Sequence, residues 1–140
     1  MPASYTTSLK LTLPADGDLG WGDTVNAGVT SLVDASVAGT ASVAHDDTAN
    51  YTLTSVNGTA DEARKMFLNI TGTLTADRNV VCPTASKLYF ITNSTTGGFS
   101  VTLKTTAGTG ILVPNGRSVT LYCNATDVVN AVSPPAGGTF

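Results

Sequence analysis

The stretch Phe99-Ser100-Val101-Thr102-Leu103-Lys104-Thr105 constrains this chain most. Phe99, Val101 and Leu103 alternate with Ser100, Thr102 and Lys104. A period of two puts the apolar side chains on one face and the polar ones on the other, as a strand with one buried face requires. Similar runs fill residues 65–132 almost without spacer. Lys65 to Thr71 turns Met66, Leu68 and Ile70 one way. Arg78 to Cys82, Gly110 to Val113, Arg117 to Cys123 and Asp127 to Val132 read as further strands, and Tyr51 to Val56 precedes them. Lys87 to Asn93 is apolar on both faces between Leu88 and Ile91, the mark of a central strand. Ser94 to Gly98, Thr106 to Thr109, Pro114-Asn115-Gly116 and Asn124 to Thr126 supply turns, and their glycine content and Asn-Gly step suit hairpins. Successive strands with short turns predict a mainly β chain: an antiparallel β-sandwich or small barrel of about 7–8 short strands, with one N-terminal helix.

Residues 1–7 read as an arm. Ser8 to Leu13 alternates and Pro14 ends it, which predicts a strand with Leu9, Leu11 and Leu13 inward. Asp16 to Gly20 is a turn by composition. Trp21-Gly22-Asp23 opens the helix, with Asp23 as N-cap, Val25, Val29, Leu32, Val33 and then Val37 on one face, and Gly39 at the stop. Valine, threonine and Gly28 weaken it, the glycine by ~1 kcal/mol relative to alanine. A helix of this composition needs a partner surface, and Trp21 is its expected anchor. The chain divides accordingly into an arm and strand (1–20), a docking helix and connector (21–48), a β module (49–133) and a flexible tail (134–140). Within the connector, Ala41 to Ala44 is readable as a short strand and His45-Asp46-Asp47 as a turn.

Charged residues make up 12% of the chain, about half of the usual ~25%, and so sparse a charge predicts association rather than a free monomer. The net charge of −3 is uneven: residues 1–50 hold Lys10 against six aspartates, and the remainder is mildly basic. Two solvated surfaces account for this; so does an acidic N-terminal part docking on the β body of the same or a neighbouring copy. The chain is not basic enough for nucleic acid, and no run reaches the ~20 apolar residues of a membrane helix. Met1-Pro2-Ala3-Ser4 lacks the basic start of a signal peptide, so synthesis in a cytoplasm is expected, the protein staying there or leaving as part of an assembly. Cys82 and Cys123 then read as buried free thiols.

No GxSxG, P-loop or HExxH pattern occurs. With no CxxC and one histidine, neither a metal site nor a cofactor is expected, and no residue set argues for an enzyme. Asp16-x-Asp18-x-Gly20 is like the start of a calcium loop, but Ala27 stands where the closing glutamate would be needed. Tyr89, Tyr122 and Phe67 are candidates for core or inter-subunit packing, or for a sheet face that holds sugar or protein. The candidate docking and self-association residues are therefore Trp21, Val25, Val29, Leu32, Val33, Tyr89 and Tyr122.

Two stretches carry a resemblance. One is Leu9-Lys10-Leu11-Thr12-Leu13-Pro14 followed by Trp21-Gly22-Asp23-Thr24-Val25-Asn26 and Leu32-Val33-Asp34. The other runs from Gly72-Thr73-Leu74-Thr75-Ala76-Asp77-Arg78 through Lys87-Leu88-Tyr89-Phe90, Asn93 to Phe99, Gly108-Thr109-Gly110 and Val113-Pro114 to Leu121-Tyr122-Cys123. Together they resemble tailed-bacteriophage virion appendage proteins, in which a short strand and a W-G-x-x-x-N helix precede a β module. The resemblance implies a virion structural protein, a homotrimer whose other partners are capsid or tail proteins. The chain stops after one module, without the long shaft and receptor-binding tip of a full fibre. That favours a short capsid-decoration or head-fibre protein, or a tail adaptor. The alternative is a β module that recognises a host-surface glycan.

Overall fold

The computed structural model describes residues 4–132 and is mainly sheet. In chain order come β1 (Ser4–Tyr5), β2 (Thr12–Leu13), α1 (Trp21–Val25), a π-helical turn (Asn26–Thr30) and α2 (Ser31–Ala38). Next are β3 (Thr40–Ala44), β4 (Asn50–Thr52), β5 (Phe67–Thr71), β6 (Arg78–Val81) and β7 (Lys87–Asn93). β8 (Val101–Lys104), β9 (Ile111–Val113), β10 (Ser118–Cys123) and β11 (Val128–Asn130) complete the described chain. The strands form a five-stranded sheet ordered β11-β10-β7-β5-β3, a four-stranded sheet ordered β4-β6-β8-β9, and the small β1-β2 pair; none closes into a barrel.

The expected antiparallel pairing of successive strands is corrected. From β3 to β8 the chain alternates between the two larger sheets, so neighbours within a sheet are every second strand. The pairs β3–β5, β5–β7, β4–β6 and β6–β8 are all parallel. Only the last part reverses, with β8–β9, β7–β10 and β10–β11 antiparallel. The side-chain period is two whichever way a neighbour runs, so alternation alone could not separate these cases. Two of the expected hairpin turns, at 94–98 and 114–116, instead carry the chain from one sheet to the other.

Asn93 builds the first of those corners. Fully buried, it donates from Nδ2 to the carbonyls of Phe99 (3.1 Å) and Val113 (3.0 Å). Its Oδ1 accepts from the Thr95 amide (3.2 Å) and hydroxyl (2.6 Å). Successive corners then stack: the Thr96 amide donates to the Gly72 carbonyl (2.8 Å), and the Leu74 amide to the Thr96 carbonyl (2.9 Å). Gly97 holds φ +108°, and a Cβ there would overlap the Leu74 carbonyl, so the stacked corner requires glycine.

Alternation fills the core from both sheets. Val43, Leu68, Ile70, Tyr89, Ile91, Leu121 and Cys123 come from the five-stranded sheet and meet Val80, Val101, Leu103 and Val113 of the four-stranded one. Each such aliphatic side chain contributes ~1.5–3 kcal/mol by burial. β7 is central, as its two apolar faces predict. β3 is the strand read at Ala41 to Ala44; it is a sheet member, with Val43 fully buried, although it falls inside the connector assigned to 21–48.

At the N-terminus the strand expected over Ser8 to Leu13 shrinks to β2. Lys10 adopts φ +52°, and the Thr6 amide donates to the Leu11 carbonyl (2.9 Å), closing residues 6–11 into a loop. Leu9 and Leu11 are half-buried and Leu13 is exposed, so the inward row is not formed. The helix starts at Trp21 after Gly20, not at an Asp23 cap; Asp23 lies in the first turn, where a carboxylate suits the helix dipole. Gly39 is the C-cap, as expected, in an extended conformation. The tail assigned to 134–140 lies outside the described residues.

Candidate interaction surfaces

The helix buries Gly28, Leu32 and Ser36, spaced by four. Beside them runs a second four-residue row: Trp21, Val25, Val29, Val33 and Val37. Four residues overshoot an α-helical turn by about 40°, so such a row would wind away around a purely α-helical rod. The wider π-helical turn at Asn26–Thr30 takes up part of that overshoot and keeps the row on one side. Ser31 Oγ donates to the Asn26 carbonyl (2.8 Å) within that turn.

Of the expected docking residues, Leu32 is buried and Val25 and Val29 are half-buried. Val33 is 39%, Val37 59% and Trp21 61% exposed. Trp21 is therefore not an anchor within the chain; with Val33 and Val37 it lies open. Asp16 and Asp18 of the preceding turn and Asp23 and Asp34 of the helix are exposed as well. Asp18 Oδ1 accepts from the Gly20 amide (3.0 Å), so the calcium-like spacing is a turn.

Arg64 joins this N-terminal unit to the β body. It is 4% exposed and donates to the carbonyls of Leu9, Val56 (3.0 Å) and Thr59 (3.3 Å), with Asp61 at 3.5 Å. Lys10 adds a bond to the Ser55 carbonyl (3.3 Å), and the Gly58 amide donates to the Lys10 carbonyl (2.9 Å).

The second surface is the outer face of the five-stranded sheet. Tyr89, read as core or inter-subunit packing, is 1% exposed, and its hydroxyl donates to the Ala63 carbonyl (3.3 Å); it belongs to the core, and its place among the interface residues is corrected. Its parity points inward with Ile91, so the outward residues of β7 are Leu88 and Phe90. Tyr122 faces outward and is 38% exposed. It is paired with Leu88 on one side and Val129 on the other. Phe67 stacks on Phe90 with ring centroids 5.1 Å apart. Leu88, Phe90 and Val129 were missed by sequence reasoning, although the two-faced run from Leu88 to Ile91 held the signal.

The body's carboxylates are engaged. Each of the six accepts from a backbone amide of a loop or turn: Asp46 from Thr48, Asp47 from Thr75, Asp61 from Val56 and Arg64, Glu62 from Thr54, Asp77 from Ser100, and Asp127 from Thr109, Gly110 and Val128. The Arg78 guanidinium and the Thr75 hydroxyl hold Asp47 well below the usual carboxylate range. His45 is buried: its Nδ1 accepts from the Asp47 amide (3.1 Å), leaving Nε2–H for the Asn79 carbonyl (3.1 Å). Tyr51 donates to Glu62 Oε1 (2.9 Å), and burial, reinforced by Glu62, pushes its phenol up to about 12.

Lys87 lies over the Tyr89 ring (4.1 Å) and donates to the Lys65 carbonyl (2.7 Å); burial lowers its ammonium to about 8. Cys82 and Cys123 are buried free thiols. Burial, then the neighbouring Cys123, pushes Cys82 up to about 12. A cavity of about 10 Å³ between Ser8 to Lys10 and Lys87 is no larger than one water requires. Among the described residues no cluster of His, Cys, Asp and Glu is placed to hold a metal, and no helix is long and apolar enough to cross a membrane. Comparison of the chain with known protein families, curated proteins and solved structures gives no match.

Proposed function

We propose that this chain is a non-enzymatic virion structural protein, a short capsid-decoration, head-fibre or tail-adaptor protein that self-associates and docks onto the particle through its N-terminal unit. The observation that carries the reading is the helix. One row is buried inside the chain while the parallel row leaves Trp21, Val33 and Val37 open, on a unit pinned to the body by Arg64. An apolar row on a helix that, with the turn before it, carries exposed aspartates suits an apolar groove with a basic rim on a capsid or tail protein. The larger sheets are read as the two layers of a β-sandwich around one core. The resemblance to phage appendages supports the virion location and a homotrimer.

The rival reading, a host-surface glycan module, draws on the exposed Tyr122 and Phe67. Imaging purified particles with the protein gold-labelled separates the two. Label on the particle surface, lost with Val33→Asp/Val37→Asp while the far-UV dichroism is unchanged, is the expected result. Unlabelled particles, together with glycan binding that Tyr122→Ala abolishes, would replace the structural reading with the rival.

A further inference from the structure

We infer that the outer face of the five-stranded sheet is the surface through which copies of this chain associate, an assignment that rests on the reading of a self-associating protein. The face presents Ser42 from β3, Phe67 and Asn69 from β5, Leu88, Phe90 and Thr92 from β7, Ser118, Thr120 and Tyr122 from β10, and Val129 from β11. None of these is charged. The outer face of the four-stranded sheet differs, since Lys104 lies on it beside Thr102.

Charge selects the occupant. A charged partner set on this face would lose hydration with no counter-charge to meet it. The same face of neighbouring copies brings no charge, and copies arranged about one axis set apolar end against apolar end. Its register is built for this division. Leu88, Tyr122 and Val129 lie in one cross-strand row, next to the row of Phe67 and Phe90. Thr92 and Ser118 lie in a row further along, their hydroxyls 2.8 Å apart, and Ser94 Oγ bonds Asn69 Oδ1 at 2.6 Å. The polar end has therefore satisfied much of its hydrogen bonding within the copy and can be covered at small desolvation cost.

Area sets the strength. Five strands of three to seven residues, at ~3.3 Å per residue and ~4.8 Å apart, give a face of roughly 400 Å². With both sides counted, covering it buries about 800 Å², below the ~1,000 Å² of a stable interface and in the range of weak, transient ones. The association is accordingly reversible on dilution.

Sedimentation velocity of the full chain over a hundredfold concentration range tests it. The expected result is a mass that is a multiple of 14.2 kDa when concentrated and falls toward one copy on dilution. Tyr122→Asp and Val129→Asp, both at exposed positions, should each give a single copy throughout with unchanged far-UV dichroism. Thr102→Asp, on the other sheet, should associate as the native chain does. Association that survives both face substitutions, or that Thr102→Asp also abolishes, overturns the assignment and leaves the self-association reading standing. A native chain at 14.2 kDa at every concentration overturns both. A single copy that binds host glycan through Tyr122 gives the face to sugar and overturns the assignment too.

Discussion

Gly28 packs directly on Thr12: a Cβ on the glycine would stand 2.5 Å from the threonine Oγ1 and 2.7 Å from its Cβ. The residue that weakens the helix by intrinsic propensity is the one that lets it lie against β2. Gly28→Ala gains ~1 kcal/mol of helix propensity and loses ~1–3 kcal/mol by overpacking. The expected outcome is a loosened N-terminal unit on an intact body. Hydrogen exchange should quicken at amides 26–38 and stay slow in β5 and β7. Equal acceleration in those strands would show that helix and sheets unfold as one unit.

Arg64 and Asp61 are both nearly solvent-free, and Arg64 also serves three carbonyls. Removing one partner of a buried pair costs ~3–5 kcal/mol. Arg64→Met should therefore lower stability by about 3 kcal/mol in chemical denaturation and expose residues 6–20 to limited proteolysis. Unchanged cleavage there would mean that Lys10 and Gly58 hold the hairpin without it.

Stability should rise with pH in a narrow window. Folded Lys87 loses its proton near 8 and the unfolded lysine near 10.5, so the unfolded state binds more protons between these values and stability climbs. Cys82 acts oppositely: folded it keeps its proton to about 12, unfolded it releases it near 9.0, so stability falls above 9. The net rise is confined to roughly pH 8–9. Thermal unfolding from pH 7.5 to 10 checks it: Lys87→Met should abolish the rise and Cys82→Ala should extend it. A rise that persists in Lys87→Met would assign it to another group.

Cys82 and Cys123 should behave as packing residues. Cys123 Sγ sits 3.6 Å from the Pro83 carbonyl, and both thiols are buried. Alkylation should be negligible in the native chain and complete in denaturant. Reductant should leave the melting temperature unchanged, and the double alanine variant should cost a few kcal/mol through the cavities it leaves. A reductant-dependent melt would reveal a bridge between them.

The strands were legible in the sequence because burial of one face imposes a period of two, as Val101, Leu103, Leu68 and Ile70 show. Their partners were not. A glycine-rich turn such as 94–98 serves a hairpin and a sheet-to-sheet corner equally, and what decides is a side chain such as Asn93 binding carbonyls 6 and 20 residues away. On the helix, periodicity placed Val33 beside Leu32 but could not say which of the two faced the chain. That depends on Gly28 meeting Thr12, a contact across 16 residues. Tyr89 and Tyr122 looked alike in sequence; one strand's parity against the core separates them.

The alternating winding also fixes an order of assembly in time. Phe67 pairs with Phe90 and Thr40 with Phe67, while Asn50 pairs with Asn79, so these parallel partners are 23 to 29 residues apart and each pairing must close a long loop. Only β8–β9 and β10–β11 join strands adjacent along the chain within the two larger sheets. Local pairings close fastest, so the late-made hairpins are the natural nucleus, and the first-made strands β3 and β4 remain without a finished sheet until residues beyond 100 have left the ribosome. A ribosome-bound chain ending before β8 should be open to protease along its whole exposed length, and protection should arrive together once β11 has emerged.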